Sequence, residues 1–218
     1  MITAVAAYLL GSIPTGYIVA KAKGVDIRSV GSGNIGATNV FRILGKKAGI
    51  FVLTVDALKG FLAVWLVAPM IARNLVASDS LGGTASMLAI VAGISAILGH
   101  NYTCWLKFKG GKGIATSAGV LLGLVPLPFV FALITWILLF FLSRYVSLAS
   151  IGAAAILPIT TWLVGHFGGR FSYQGRLEFI IVTLLMAALA IYKHRANIQR
   201  LLNGTENRVG KKKTETPK

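Results

Sequence analysis

The chain has 218 residues, of which 56% are hydrophobic and only 13% are charged, and its formal net charge is +16. Because soluble domains carry about 25% charged residues, this composition indicates a polytopic membrane protein. The basic excess would also suit nucleic-acid binding, but the basic residues lie in loops between apolar segments, so we expect no nucleic acid. Such loops favour anionic membrane lipids and anionic substrates as partners. The lone Cys104, with no Cys/His cluster nearby, predicts no metal site.

Residues 2–20 form the first apolar segment, and the absence of a basic region before it predicts a spanning helix instead of a signal peptide. The loop that follows is rich in lysine and arginine, which places it in the cytoplasm and the N-terminus outside. The second predicted span, residues 48–72, contains Asp56 and Lys59 on one helix face. Charges at that depth usually face a partner or a cavity, so we favour an ion pair that fixes packing over a direct substrate role for Lys59.

The third predicted span, residues 85–106, leads into a lysine-rich loop, and no charged residue occurs between the glycines of that loop and Arg144. Pro126 and Pro128 interrupt this uncharged stretch near its middle. One long kinked span would place Arg144 outside, whereas a hairpin of two short helices would return it to the cytoplasmic side. Each half reaches about 22 Å, less than a hydrocarbon core of about 30 Å, but buried half-depth helices are allowed. We favour the hairpin, joined at the two prolines.

Residues 146–166 and 177–192 complete the apolar segments, and the polar loops 73–84 and 167–176 are expected outside. The tail that follows holds eight lysine or arginine residues against two glutamates, which predicts a cytoplasmic C-terminus. The expected fold is therefore an all-α polytopic membrane protein with seven transmembrane helices, the N-terminus outside and the C-terminus in the cytoplasm.

A polar, glycine-rich stretch with the sequence GSGNIGATN precedes the second span. Its glycines match the dinucleotide-binding pattern G-x-G-x-x-G, but no strand precedes them, so we reject a dinucleotide site. Glycines open the backbone, and an arginine follows about one helical turn later. The stretch suits a nest that holds phosphate or hydroxyl groups, or else an ordinary turn with helix caps. Its candidate residues are Gly31, Ser32, Gly33, Asn34, Thr38, Asn39 and Arg42.

A second glycine-rich stretch, KFKGGKGIAT, begins at Lys107 between two apolar segments. Its spacing is not that of a P-loop, but glycines and lysines together can hold a phosphate beside a bilayer. Lys112 is the expected direct contact, and Lys107 and Lys109 are expected at the membrane interface. A basic cytoplasmic loop that only sets topology is the alternative. The candidate residues are Gly110, Gly111, Lys112 and Gly113.

Two further polar clusters occur in RYVSLAS and YKHRANIQRLLNG. In the first, Arg144, Ser147 and Ser150 recur every three residues and can share one side of a starting helix. In the second, His194 and Asn197 repeat that spacing, although a histidine there is more often a helix-end residue. On the hairpin topology all four clusters lie on one membrane face, so we expect them to form one anion-binding site.

The segments GSGNIGATN, GHNYTCWLKFKGGKGIAT, RYVSLAS and YKHRANIQRLLNGTE resemble the bacterial acyl-phosphate:glycerol-3-phosphate acyltransferases, the PlsY family. The resemblance, which includes TVDALKG around Asp56, implies a bacterial inner-membrane enzyme whose active site faces the cytoplasm. It implies acyl transfer from acyl phosphate to the 1-hydroxyl of sn-glycerol 3-phosphate, the first acylation of phospholipid synthesis, without acyl-CoA, metal or cofactor. We expect residues 1–208 to form the acyltransferase domain, acting as a monomer, and residues 209–218 a basic, disordered tail.

The resemblance also implies roles for residues of the four clusters. Those expected in catalysis are Ser32, Lys112, Ser147 and His194. Those expected to bind substrate are Gly31, Gly33, Asn34, Thr38, Asn39, Arg42, Gly110, Gly111, Gly113, Arg144 and Asn197. A substrate phosphate oxygen is expected to accept the hydroxyl proton, with His194 as the rival base. A transporter or binding protein for an organic phosphate is the alternative function.

Overall fold

The computed structural model describes residues 1–75, 81–167 and 177–210, which form two compact units, Met1–Phe129 and Val130–Lys218. The helices that lie wholly in the first unit are α1 (Ile2–Ser12), α2 (Thr15–Lys21), α3 (Ala37–Leu44), α4 (Lys46–Leu62), α5 (Ala68–Leu75), α6 (Leu81–Asn101) and α7 (Ile114–Leu124). A π-helical turn, Ala63–Val67, joins α4 to α5, and a 3-10 turn, Cys104–Leu106, follows α6. The remaining helices are α8 (Pro126–Ser143), α9 (Val146–Phe167), α10 (Leu177–Lys193) and α11 (Arg195–Leu202).

The described helices include five stretches that are long and apolar enough to cross a membrane, or six if α10 and α11, bent by 57°, count as one span. The five stretches are Ile2–Lys21, Lys46–Arg73, Ala85–Leu106, Pro126–Ser143 and Val146–Phe167. An all-helical, multi-span integral membrane protein is therefore confirmed. The count of seven spans and the orientation of the termini stay predictions.

Two prolines shape the chain differently from the expectation. The first predicted span is two helices, because Pro14 has no N–H to donate and its ring displaces the carbonyl four residues earlier. The uncharged stretch breaks at Val125, just before Pro126. Helix α7 has 11 residues, as expected, but α8 has 18 and is long enough to cross, so the prediction that both halves are short is wrong. The first residue of a helix makes no intrahelical hydrogen bond through its N–H group, so proline, which lacks that group, is tolerated there. Pro126 is therefore the first residue of α8. The hairpin itself stays a prediction.

Helices α4 and α7 approach each other closely through glycines. A Cβ atom at Gly60 would overlap the carbonyl oxygen of Thr116, and one at Gly119 would overlap the carbonyl oxygen of Ala57. Small residues at helix interfaces let backbones come close, which is how membrane helices gain packing energy without a hydrophobic driving force. This contact fixes the start of α7 beside α4.

In the second unit α9 is packed against α10 and carries contacts to α8. The indole N–H of Trp136 donates to the hydroxyl oxygen of Ser150 at 3.1 Å, and a Cβ at Gly152 would overlap the side chain of Leu139. In the predicted outside loop 73–84, residues 73–75 end α5 and residues 81–84 begin α6, and only residues 76–80 lie outside the described residues. The predicted loop 167–176 and the predicted disordered tail lie mainly outside the described residues.

Candidate active site

The first cluster is organised by the buried side chain of Asn39, near the start of α3. Its Oδ1 accepts a hydrogen bond from the backbone N–H of Ser32 at 3.0 Å. Its Nδ2 donates to the carbonyl oxygens of Ile27, Val30 and Asn34 at 3.1, 3.1 and 3.0 Å. Because both ends of the amide are used inside the loop, Asn39 holds the loop in shape, and its contact with substrate stays a prediction.

The turn around Asn39 leaves other residues of the first cluster exposed. Gly31 and Gly33 have φ values of 62° and 68°, and a Cβ at Gly31 would overlap Oδ1 of Asn39, so the turn requires glycine there. The polar side chains that this turn and α3 leave exposed belong to Ser32, Thr38 and Arg42. Oδ1 of Asn34 instead accepts a hydrogen bond from the backbone N–H of Gly36 at 2.9 Å, and this bond stabilises the turn that leads into α3. The exposed hydroxyls and guanidinium suit a phosphate or a polyol.

The second cluster lies across the C-terminal end of α6. The N–H groups of Gly110 and Gly111 donate to the carbonyl oxygens of Asn101 and His100 at 3.2 and 3.0 Å. A Cβ at Gly110 would overlap the carbonyl oxygen of His100, so this close approach also requires glycine. Sequence reasoning assigned these two glycines to a phosphate cradle, but their N–H groups serve the end of α6.

Lys112 and Gly113 connect this loop to α7. Gly113 has a φ of 79° and is the residue from which α7 starts, and Lys112 is half-buried just before it. The first N–H groups of an α-helix have no intrahelical acceptor and attract anions. Lys112 and the first turn of α7 are therefore the part of this cluster best suited to a phosphate group. Lys107 and Lys109 are exposed on the preceding turn.

The first two clusters lie next to each other in the first unit. Leu106, which directly precedes the lysine-rich loop, belongs to a buried apolar group that also contains Ile35 and Val40 of the first cluster and the start of α3. Helix α3, which bears Arg42, and the loop that bears Lys112 thus pack against a shared core.

In the second unit, Glu206 joins the third and fourth clusters. Its Oε1 accepts hydrogen bonds from Oγ of Ser147 at 3.0 Å and from Nδ2 of Asn197 at 2.8 Å. Its Oε2 accepts from Nε of Arg200 at 2.7 Å. The structure therefore brings Ser147 and Asn197 together through Glu206, a residue that the motifs did not single out.

The electrostatics of Glu206 follow from these donors. Burial by itself raises the pKa of its carboxyl group, but the hydrogen bonds from Asn197, Arg200 and Ser147 outweigh burial and hold the pKa below its usual range. The group is a carboxylate at neutral pH. One sequence signal could have found it, because Glu206 is one of only six acidic residues in the chain and lies in a strongly basic tail.

Arg144 and His194 complete the second pair of clusters. Arg144, between α8 and α9, has a φ of 63° and an exposed side chain, and its carbonyl oxygen accepts the N–H of Val209 at 2.9 Å. His194 is buried at the bend between α10 and α11, where its Nδ1 lies 2.7 Å from the carbonyl oxygen of Ala190. A carbonyl oxygen only accepts, so Nδ1 carries the proton and Nε2 is the basic nitrogen of the neutral ring.

The sequence model of the family described as "Glycerol-3-phosphate acyltransferase" matches residues 1–204 of this chain. The chain belongs to this family. The glycerol-3-phosphate acyltransferase of Geotalea daltonii is 47% identical over 210 residues, covering 93% of this chain and 94% of that protein. That of Geobacter sulfurreducens is also 47% identical, over 208 residues, covering 95% of this chain and 96% of that protein. The family resemblance inferred from the four segments is confirmed.

The structure is also similar to crystal structures of PlsY (YgiH), an integral membrane glycerol 3-phosphate acyltransferase. Its glycerol 3-phosphate form matches with a TM-score of 0.78 and 39% sequence identity, covering 96% of this chain and 94% of that chain. Its lysophosphatidic acid form matches with a TM-score of 0.77 and 38% identity over the same shares. The helical arrangement is thus similar to that of a membrane acyltransferase of known structure.

Proposed function

We infer that this protein transfers an acyl group to glycerol 3-phosphate and forms lysophosphatidic acid, within phospholipid synthesis. The observation that carries this inference is the family match, which spans residues 1–204 and so includes all four polar clusters. Lys112 beside the first turn of α7, and Arg42 in the last turn of α3, provide positive charge for phosphate groups.

We propose acyl phosphate as the donor and the 1-hydroxyl of sn-glycerol 3-phosphate as the acceptor. The hydroxyl oxygen forms a bond to the acyl carbonyl carbon, the bond from that carbon to the phosphate oxygen breaks, and inorganic phosphate leaves. Acyl phosphate is an activated mixed anhydride with a good leaving group, so the reaction needs no covalent enzyme intermediate. The enzyme mainly neutralises two phosphate groups and holds the hydroxyl against the carbonyl, and such positioning supplies about 7–11 kcal/mol.

The proposed contributions differ between the clusters. Lys112 and the start of α7 stabilise the charge that develops on the leaving phosphate. Ser32, Thr38 and Arg42, which are exposed in the first cluster, bind the polar groups of the substrates. Ser147, His194 and Asn197 serve the same reaction from the second unit, and Glu206 orients two of them.

The proton of the attacking hydroxyl passes to a phosphate oxygen of a substrate. The rival base is Nε2 of His194, whose ring is fixed by the bond from Nδ1 to Ala190. His194→Ala and His194→Gln separate the two cases in single-turnover assays. Substrate assistance would be wrong if His194→Ala abolished the chemical step at unchanged substrate affinity and glutamine did not restore it.

The proposed topology has seven helices in the bacterial inner membrane, with the N-terminus outside and the active site facing the cytoplasm. Here α7, which has 11 residues, is a short helix that enters the membrane only part of the way. Support comes from the basic loops and tail, since lysine and arginine accumulate on the cytoplasmic side. Labelling of a cysteine introduced at Arg144 in intact cells should fail, and labelling in inverted vesicles should succeed.

The function is tested with protein purified in detergent and supplied with labelled glycerol 3-phosphate. With acyl phosphate it should form labelled lysophosphatidic acid, and acyl-CoA should not replace acyl phosphate. The alternative is a transporter of an organic phosphate. Saturable uptake of glycerol 3-phosphate into proteoliposomes, without product formation from acyl phosphate, would establish that alternative and overturn the enzyme.

A further inference from the structure

The proposed reaction leaves one buried ionic group unused, the pair of Asp56 and Lys59 on α4. Their side chains are 2% and 3% exposed, and Nζ of Lys59 lies 2.8 Å from Oδ1 of Asp56. Nζ of Lys59 also donates to the carbonyl oxygen of Ile13 at 2.9 Å, at the break that Pro14 makes between α1 and α2. Lys59 therefore covers a carbonyl group that lies outside the regular helix and anchors the ion pair to a fixed point of the backbone.

The ion pair extends to α6 through His100. Its Nδ1 lies 3.7 Å from Oδ1 of Asp56, and its side chain is buried in the last turn of α6. A carboxylate buried this deeply is stable only beside groups that compensate its charge. Oδ1 of Asp56 thus faces one edge of the imidazole ring at a distance longer than a hydrogen bond, and the ring lies between this carboxylate and the glycine-rich loop.

The opposite edge of the same ring meets the glycine-rich loop. A Cβ at Gly111 would overlap Nε2 of His100, and the next nearest atoms to it are Cδ2 at 2.9 Å and Cε1 at 3.0 Å of the same ring. The N–H of Gly111 also donates to the carbonyl oxygen of His100. The backbone of Gly111 therefore rests directly on the imidazole, one residue before Lys112.

We propose that His100 is a positioning residue of the acyltransferase and is itself positioned by Asp56 and Lys59. His100 sets the position of the glycine-rich loop relative to the end of α6, and therefore the position of Lys112. This inference rests on the proposed function and deepens it. His100 does not touch substrate, because it is buried beneath Gly111. Its effect is through geometry, and a displacement of about 1 Å at a reacting group can cost about a hundredfold in rate.

The contact between the ring and Gly111 makes a double-mutant cycle decisive. Gly111→Ala places a methyl group against the ring and should lower kcat/KM for glycerol 3-phosphate by at least about tenfold. His100→Ala lowers it less, because the loop loses its support without being pushed away. In the double variant the ring is absent, so the added methyl group finds space and activity should recover above that of Gly111→Ala alone. His166→Ala, which removes an exposed histidine from the last turn of α9, is the matched control and should behave as wild type.

Two further measurements separate positioning from folding and from the reaction. Thermal unfolding in detergent should show a lower Tm for His100→Ala than for wild type, because the buried ring leaves a cavity, but the activity losses of the three variants should not follow their Tm values. Calorimetric titration with glycerol 3-phosphate should show weaker binding by Gly111→Ala than by the double variant. If wild type and His166→Ala formed no lysophosphatidic acid, the proposed function would fail, and the titrations would still test the positioning. Multiplicative losses in the double variant, or losses that track Tm, would overturn the role of His100.

Discussion

Replacing Glu206 with glutamine removes the charge on which three hydrogen-bond donors converge. The glutamine oxygen can still accept from Ser147 and Asn197, as Oε1 of the glutamate does at 3.0 and 2.8 Å. Its NH2 group then faces Nε of Arg200, which donates to Oε2 at 2.7 Å in the wild type. The charge-assisted hydrogen bond from Arg200 is lost, and the NH2 group of the glutamine and the Nε–H of Arg200, which are both donors, face each other.

The size of the effect follows from the exposure of the two partners. A hydrogen bond to a charged group contributes about 1.5–3 kcal/mol. The side chain of Arg200 is 36% exposed and that of Glu206 is 6% exposed, so solvent screens part of the interaction. We expect Glu206→Gln to lower the free energy of unfolding by about 1–2 kcal/mol at neutral pH. It should also lower kcat/KM, because a neutral acceptor holds Ser147 and Asn197 less firmly than a carboxylate does.

The stabilisation that Glu206 provides depends on pH. The pKa of Glu206 lies below its ordinary value of 4.5 in the folded protein, because the three hydrogen bonds outweigh the opposing effect of burial. Its stabilisation is therefore complete above pH 4.5 and is lost as pH falls through the lower folded pKa. Thermal unfolding in detergent at stepped pH should show the Tm difference between wild type and Glu206→Gln shrinking in acid. A difference that is constant or grows in acid would refute this account.

Three other substitutions test the first unit. Asn39→Ala should lower the free energy of unfolding by about 1–3 kcal/mol, measured by thermal unfolding, because the loop carbonyls lose their common donor. Gly60→Ala should destabilise by about 1–3 kcal/mol, since the methyl group meets backbone, and more than Gly123→Ala, where it meets only side chains. Lys59→Met should cost about 3–5 kcal/mol by leaving Asp56 buried without its cation, and Asp56→Asn in the same chain should recover part of the loss. Equal effects of the two glycine variants, or no recovery in the double variant, would contradict the packing described.

Hydropathy predicted the bounds of two later helices almost to the residue. The expected spans 146–166 and 177–192 correspond to the helices Val146–Phe167 and Leu177–Lys193, of which the second counts as a membrane span only together with α11. Apolar length decides whether a helix can lie in a bilayer, so composition alone carries this information. It does not report where the backbone breaks inside an apolar run, and the break before Pro14 depends on a missing N–H group instead.

The candidate site was predictable in its residue types and less so in its contacts. The glycines beside Lys112 were recognisable, but their contact with His100 depends on how the loop folds back over the end of α6. Glu206 was missed for a related reason: its partners Ser147 and Asn197 lie 59 and 9 residues away in the sequence. Local spacing does not predict contacts between such distant residues. The three-residue recurrence predicts only which residues within one cluster share a side of a helix.

The central claim is that Lys112 holds a phosphate group during acyl transfer, and one comparison tests it most directly. The rate of lysophosphatidic acid formation from acyl phosphate and glycerol 3-phosphate is measured for Lys112→Ala and for Lys109→Ala, the exposed lysine of the same loop. Loss of a charge-assisted contact predicts that kcat/KM of Lys112→Ala falls by about tenfold to a hundredfold. Lys109→Ala should stay within about twofold of wild type, because a solvated surface charge contributes little. Equal losses in the two variants, or wild-type activity in Lys112→Ala, would contradict the account.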